Sequence, residues 1–298
     1  MKKNILIVGA THGNEFTGAY LVKKWSKANI GERLYPELNI STMIANPKAF
    51  TDKVRFIEQD LNRSFSQKDL QDKDNISYEV KRARQIKQEI QERDIQVIFD
   101  LHTTTANMGI NIILAKDNQF NLKMAAFIQK NLASEVPIRI SYVPGKFATN
   151  SNDHNFLTAL TDFGALIEVG PIANNIVRHD ILEQTEQTLL MALDYIAITN
   201  SGKEPITSQK LDLFVHKEII NFPLDENGQI DAIIHKDFQD KDYIQLKKGQ
   251  AIFINLRGEK ITWQGEEGLY PVFINEAAYY QKNAACFLLE KQAVNVKV

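Results

Sequence analysis

Histidine, glutamate and arginine stand in this sequence in short polar groups placed directly after apolar runs, and those groups are where chemistry can be done. The run Ile5, Leu6, Ile7, Val8 leads into Gly9, Ala10, Thr11, His12, Gly13, Asn14 and Glu15, which sets an imidazole and a carboxylate three positions apart. If the run is a strand and residues 15–28 a helix, both side chains stand at the strand-to-helix junction, where α/β sheets hold ligands. A catalytic zinc takes three protein ligands of His and Asp/Glu type and keeps a fourth position for water. His12 and Glu15 supply two, and Gly13 lets the backbone between them fold tightly. Taken alone, His-x-x-Glu is more often a structural histidine capping a helix. The third candidate, His102, ends the strand-like run Val97, Ile98, Phe99, Asp100, Leu101 and is followed by three threonines. Asp100, two residues earlier, shares its face on an ideal strand and can orient the imidazole. A core histidine bonded to a backbone carbonyl describes His102 equally well.

Two further groups bear on catalysis. Ala165, Leu166, Ile167, Glu168, Val169 place one carboxylate inside an apolar strand, where an unpaired charge is costly unless it serves a metal, a proton or a partner. Beside a metal, Glu168 could take a proton from water and return it to a leaving amine; pairing with an arginine is the plainer alternative. Residues 55–63 gather Arg55, Asn62 and Arg63. Guanidinium forks suit a planar carboxylate, although most such clusters are surface ion pairs.

The elements that must position these residues alternate. Strand-like runs at 5–8, 38–45, 97–101, 111–114 and 165–169 are interleaved with helix-like stretches at 15–28, 78–92, 122–132 and 179–199, a rhythm that predicts an α/β fold, a sheet flanked by helices. Ala83, Ile86 and Ile90 form one apolar stripe; Leu182, Leu189, Leu193 and Ile196 form another. From about residue 200 a Ser201, Gly202, Pro205 linker opens a tail of short apolar runs and turn residues, which reads as a smaller C-terminal β-rich domain. The division expected is 1–200 for the catalytic α/β domain and 201–298 for the tail. The 298 residues are 44% hydrophobic and 24% charged, with net charge −2 and no basic cluster, so a nucleic-acid partner is not expected. Gly9 and His12 cut the first apolar run short of a signal-peptide core, and no stretch reaches the roughly 20 apolar residues of a membrane span. The single cysteine, Cys286, excludes an internal disulfide framework and fits a cytoplasmic location. A homo-oligomer is compatible with all of this.

Thr11-His12-Gly13-Asn14-Glu15, Asn46-Pro47, Asp60-Leu61-Asn62-Arg63, Asp100-Leu101-His102, Ile167-Glu168-Val169-Gly170-Pro171 and Asn275-Glu276-Ala277-Ala278-Tyr279-Tyr280 occur in one order, and together they resemble the aspartoacylase / succinylglutamate desuccinylase family. The tail shares the likeness through Asp225-Glu226-Asn227-Gly228 and Tyr270-Pro271-Val272-Phe273. The resemblance implies a zinc-carboxypeptidase-like mixed sheet with helices on both faces and a C-terminal β domain partly covering the active-site entrance. It implies one zinc per chain on His12, Glu15 and His102, with Glu168 as general base and Arg55 polarising the scissile carbonyl. Asn62 and Arg63 would bind the substrate's α-carboxylate, and Tyr279 would reach in from the C-terminal domain. The activity implied is hydrolysis of a small N-acyl amino acid, with N-acetyl-L-aspartate first, N-acyl aromatic amino acids or succinylglutamate next. Outside that group stand a metallocarboxypeptidase and a non-catalytic amino-acid or metal-binding protein. Two departures concern specificity. Phe147 replaces a family tyrosine, no Lys or Arg follows between Lys146 and Arg178, where only His154 could become cationic, and Lys282-Asn283 stands where animal members carry two lysines.

Overall fold

The computed structural model describes residues 2–149 and 153–296. Its frame is a nine-stranded mixed sheet in the order β11-β12-β7-β5-β4-β6-β3-β1-β2. The strands are β1 (Asn4–Gly9), β2 (Asn39–Ile44), β3 (Val97–Thr103), β4 (Gly109–Leu114), β5 (Ile138–Tyr142) and β6 (Phe163–Gly170), followed by β7 (Lys210–Asn221), β8 (Ala232–Ile234), β9 (Ala251–Asn255), β10 (Lys260–Thr262), β11 (Tyr270–Val272) and β12 (Ala284–Asn295). β2, β1, β3 and β6 run parallel, and β4 enters antiparallel to β6. All seven residues of β3 are buried, as expected of a strand with both faces covered.

Helices Phe16–Lys27, Gln119–Asn131 and His179–Asn200 cover one face and pack on Ile5, Ile7, Phe99 and Ile167. Helix Tyr78–Glu92 covers the other, setting Ala83, Ile86 and Ile90 against Leu6, Val8 and Ile98. The two clusters divide the alternate residues of β1 as a period-2 strand requires. The predicted stripe of the last helix is observed with one shift: Ile181 takes the inner position and Leu182 packs half-buried at its edge. β5 is a strand that no clear pattern in its sequence announced.

The C-terminal region is β-rich, as expected, but it is not a separate sheet. β7 pairs in parallel with β5, and β12 and β11 continue the central sheet beyond it. Only β8, β9 and β10 form a sheet of their own. This continuity carries the C-terminal side chains to the carboxyl ends of β1, β3 and β6. Among the described residues, no helix is long and apolar enough to cross a membrane.

Candidate metal centre and the cavity around it

The carboxyl ends of β1 and β3 stand next to each other in register, Gly9 against Leu101, so the chain leaving each strand delivers His12 and His102 to one place. Gly13 allows this. A Cβ built there would lie 2.1 Å from the backbone carbon of Ala49, and the Gly13 N–H donates to the Arg55 carbonyl at 3.0 Å. The loop bearing His12 is thereby laid directly on the segment bearing Arg55. That segment is in turn clamped by Glu79, whose carboxylate accepts the backbone N–H groups of Ile57, Glu58 and Gln59 and the side-chain amide of Asn46. Glu79 lies in the first turn of helix Tyr78–Glu92, fully buried.

His12, Glu15 and His102 are buried, with ligand atoms all within 4.8 Å of one another, and these three can hold a metal ion. His12 Nδ1 lies 2.7 Å from Glu15 Oε1, and His102 Nδ1 lies 2.8 Å from Glu15 Oε2 and 3.1 Å from His12 Nδ1. The other nitrogen of each ring meets a carboxylate, His12 Nε2 with Asp60 at 3.0 Å and His102 Nε2 with Asp100 at 2.8 Å. Asp100 can take the His102 Nε2–H and leave Nδ1 a lone pair, whereas His12 Nε2 stands between Asp60 and the Arg55 guanidinium, whose Nη2 is 2.9 Å away. With both rings neutral and Nδ1 unprotonated, two lone pairs and a carboxylate would face one point, an arrangement that a cation among them would satisfy. The donor set fits zinc. Thr11 Oγ1 steadies Asp100 with a bond of 2.6 Å, so the orientation of His102 is held from two residues away.

Charge follows from this geometry. Burial disfavours the Glu15 carboxylate, and positive charge on the His12 and His102 rings, where no metal keeps them neutral, outweighs it and holds the group well below the usual carboxylate range. Arg55 lies against Glu15 and Asp60 at 3.1 and 3.3 Å, which keeps its guanidinium charged despite burial. Glu168 stands opposite His102 in the β3–β6 register. Burial, reinforced by Glu15 and Glu276, pushes its carboxyl well above the ordinary value, and His102 and Arg55 offset this only in part. The sequence alternative of an arginine-paired Glu168 is not what is observed, because no ion pair or hydrogen bond engages it among the described residues.

The residues singled out from sequence all line one cavity of about 340 Å³: His12, Glu15, His102, Glu168, Arg55, Asn62, Arg63 and Tyr279. Asn62 is oriented by the Leu157 N–H, which its Oδ1 accepts at 3.0 Å, and Arg63 lies over the Phe156 ring at 4.7 Å. Tyr279 arrives from the C-terminal region and packs edge-on against Phe287 and Phe273. Phe273 holds φ at 54°, a left-handed conformation uncommon for an aromatic residue. Phe147 lines the same cavity; Asn150, Ser151 and Asn152, which follow it, lie outside the described residues. His154 stays apart, on a different concavity with Lys116 and Lys146.

Sequence reasoning gave no role to three residues. Asp60 was visible as part of a motif, but its contact with His12 spans 48 positions. Glu79 carries no local signal. Glu276 accepts the N–H groups of Thr105 and Ala106 and the hydroxyls of Thr104 and Thr105, fastening the segment before Tyr279 to the loop after β3.

Residues 1–196 match the family model described as succinylglutamate desuccinylase/aspartoacylase catalytic domain, and residues 209–291 match the AstE/AspA barrel-sandwich hybrid domain. The chain is 39% identical to a probable aspartoacylase of Nostoc sp., covering 98% of this chain and 97% of the relative. It is 37% identical to an N-acyl-aromatic-L-amino acid amidohydrolase (carboxylate-forming) of Xenopus tropicalis, over 96% and 92%. The crystal structure of murine aminoacylase 3 superposes with a TM-score of 0.91 at 30% identity, over 99% of this chain and 97% of that one. The chain therefore belongs to the succinylglutamate desuccinylase/aspartoacylase family, and its catalytic domain is that of an amide hydrolase.

Proposed function

We propose that this protein hydrolyses the amide bond of N-acyl amino acids, releasing a carboxylate and a free amino acid, with one zinc ion per chain on His12, Glu15 and His102. The observation that carries this reading is a metal-ligating triad, an unpaired buried glutamate and two guanidiniums gathered in one cavity. A zinc ion in that position supplies Lewis acidity, polarising an amide carbonyl and acidifying water. Glu168 is the general base: the environment that raises its proton affinity suits a carboxylate that takes a proton from the attacking water and hands it to the departing amine. Arg55 donates to the carbonyl oxygen as negative charge builds there. Asn62 and Arg63 hold the α-carboxylate, the fork of Arg63 kept in place by Phe156. Tyr279 closes the cavity from the C-terminal side. The division at 200/201 belongs to the same reading, in which the first part supplies the ligands and the base and the second part the cover.

The cavity favours an amino acid with an apolar or aromatic side chain. Ile113, Val143, Phe147, Phe156, Phe273 and Phe287 line it, and beyond Arg55 and Arg63 its one Lys or Arg among the described residues is Lys282. N-acetyl-L-aspartate, first on the family resemblance, is the second reading, and Lys282 favours it as a partner for a side-chain carboxylate. The test is kcat/KM on the zinc-loaded protein for N-acetyl aromatic amino acids, N-acetyl-L-aspartate and N-succinylglutamate. The aromatic substrates should lead. A lead for N-acetyl-L-aspartate would move the assignment to the second reading, and stoichiometric zinc without hydrolysis of any of them would leave a binding protein.

A further inference from the structure

His216 is a buried histidine in the wall of the cavity, and neither of its ring nitrogens meets a hydrogen-bond partner among the described residues. Its ring is flanked by Phe147 at 5.3 Å and Phe287 at 5.8 Å between centroids. Buried polar groups in folded proteins are nearly always paired, and one that is not calls for an explanation.

The backbone puts His216 there deliberately. Along β7, His216 pairs with Leu289 while Glu218 pairs with Leu288, so Lys217 is an extra residue and the strand carries a bulge at this point. Bulges re-aim side chains and recur beside active sites. Here the bulge lies next to a polar ring set in an otherwise aromatic stretch of wall. Burial, and then the positive charge of Arg63, hold the imidazole neutral, with its pKa down at about 3. A neutral imidazole offers one N–H and one lone pair and no charge. It is matched by a group that both donates and accepts and is itself uncharged. Two flanking phenyl rings ask for an aromatic body on that group.

We propose that His216 is a specificity-determining residue that hydrogen-bonds the uncharged polar tip of an aromatic substrate side chain, a phenol hydroxyl above all. This rests on the deacylase reading with an aromatic substrate. A site built to bond a hydroxyl discriminates strongly against the analogue lacking it, because its own polar group is then left unpaired.

The test compares N-acetyl-L-tyrosine with N-acetyl-L-phenylalanine on the zinc-loaded protein, by kcat/KM and by calorimetric affinity. The wild type should favour the tyrosine compound by about tenfold or more. His216→Phe, which keeps the ring contacts, should bring that ratio to about one by losing the tyrosine compound alone, and His216→Gln should restore part of it. Equal values for the two compounds in the wild type would overturn the proposal, as would a His216→Phe variant that weakens both alike. If neither compound is hydrolysed, the deacylase reading fails, and the affinity ratio still decides His216.

Discussion

Glu168 and His102 face each other across paired strands, yet their substitutions should fail in different ways. Glu168→Gln keeps the shape and removes the base, so zinc content by elemental analysis should stay near one equivalent while kcat falls by about 10²–10⁴. Wild-type kcat in that variant would take Glu168 out of the mechanism. His102→Ala should lose the metal itself, and full zinc occupancy would contradict its place among the ligands. Asp100→Asn tests the next contact outward, since it weakens the hold on His102 Nε2 and should lower zinc affinity by about 10- to 100-fold. At this scale the sequence was informative. His102 and Glu168 were legible because a strand that ends in a histidine, or encloses a lone glutamate, breaks its own apolar pattern, whereas His12 and Glu15, weak by themselves, stood out only in the company of the other motifs. Asp60 and Glu276 stood inside quoted motifs, but their partners lie 48 and about 170 positions away, and no local pattern reports a contact at that distance.

At the scale of elements, the arrangement depends on a carboxylate, Glu79, that takes no part in the chemistry. Glu79 satisfies three consecutive backbone N–H groups between Arg55 and Asn62. Glu79→Ala leaves those donors without a partner and should cost about 2–4 kcal/mol in urea unfolding, with a raised KM because Arg55, Asn62 and Arg63 lose their common anchor. A variant with unchanged stability would show that the loop is held by something else. Helix Tyr78–Glu92 was predicted to the residue from the spacing of Ala83, Ile86 and Ile90, while Glu79 at its start looked like an ordinary first-turn acid. The tail was legible as β-rich through its turns. That β7 and β12 would extend the central sheet was not, because strand order is set by pairing between distant segments rather than by any one segment's composition.

Across the whole molecule, the C-terminal region is tied to the frame by its strands and by Glu276, and within it Asp242 Oδ1 accepts the Ile274 N–H at 3.1 Å. Burial raises the Asp242 carboxyl to about 7. An acid raised in the folded state binds more protons there than when unfolded, so its effect on stability is unfavourable and grows as pH rises from its unfolded value of 3.8 to about 7. Asp242→Asn keeps the accepting oxygen and removes the titration. Relative to wild type, it should gain up to about 1.4 kcal/mol per pH unit through that window, read from unfolding at pH 5, 6 and 7. A constant difference across those pH values would place the titration elsewhere. The measurement that bears most directly on the whole reading is a zinc titration of chelator-treated protein, followed by hydrolysis of an N-acetyl aromatic amino acid. Activity should rise in proportion to zinc and level off at one equivalent per chain; full turnover without the metal, or one bound equivalent with no turnover, would contradict it.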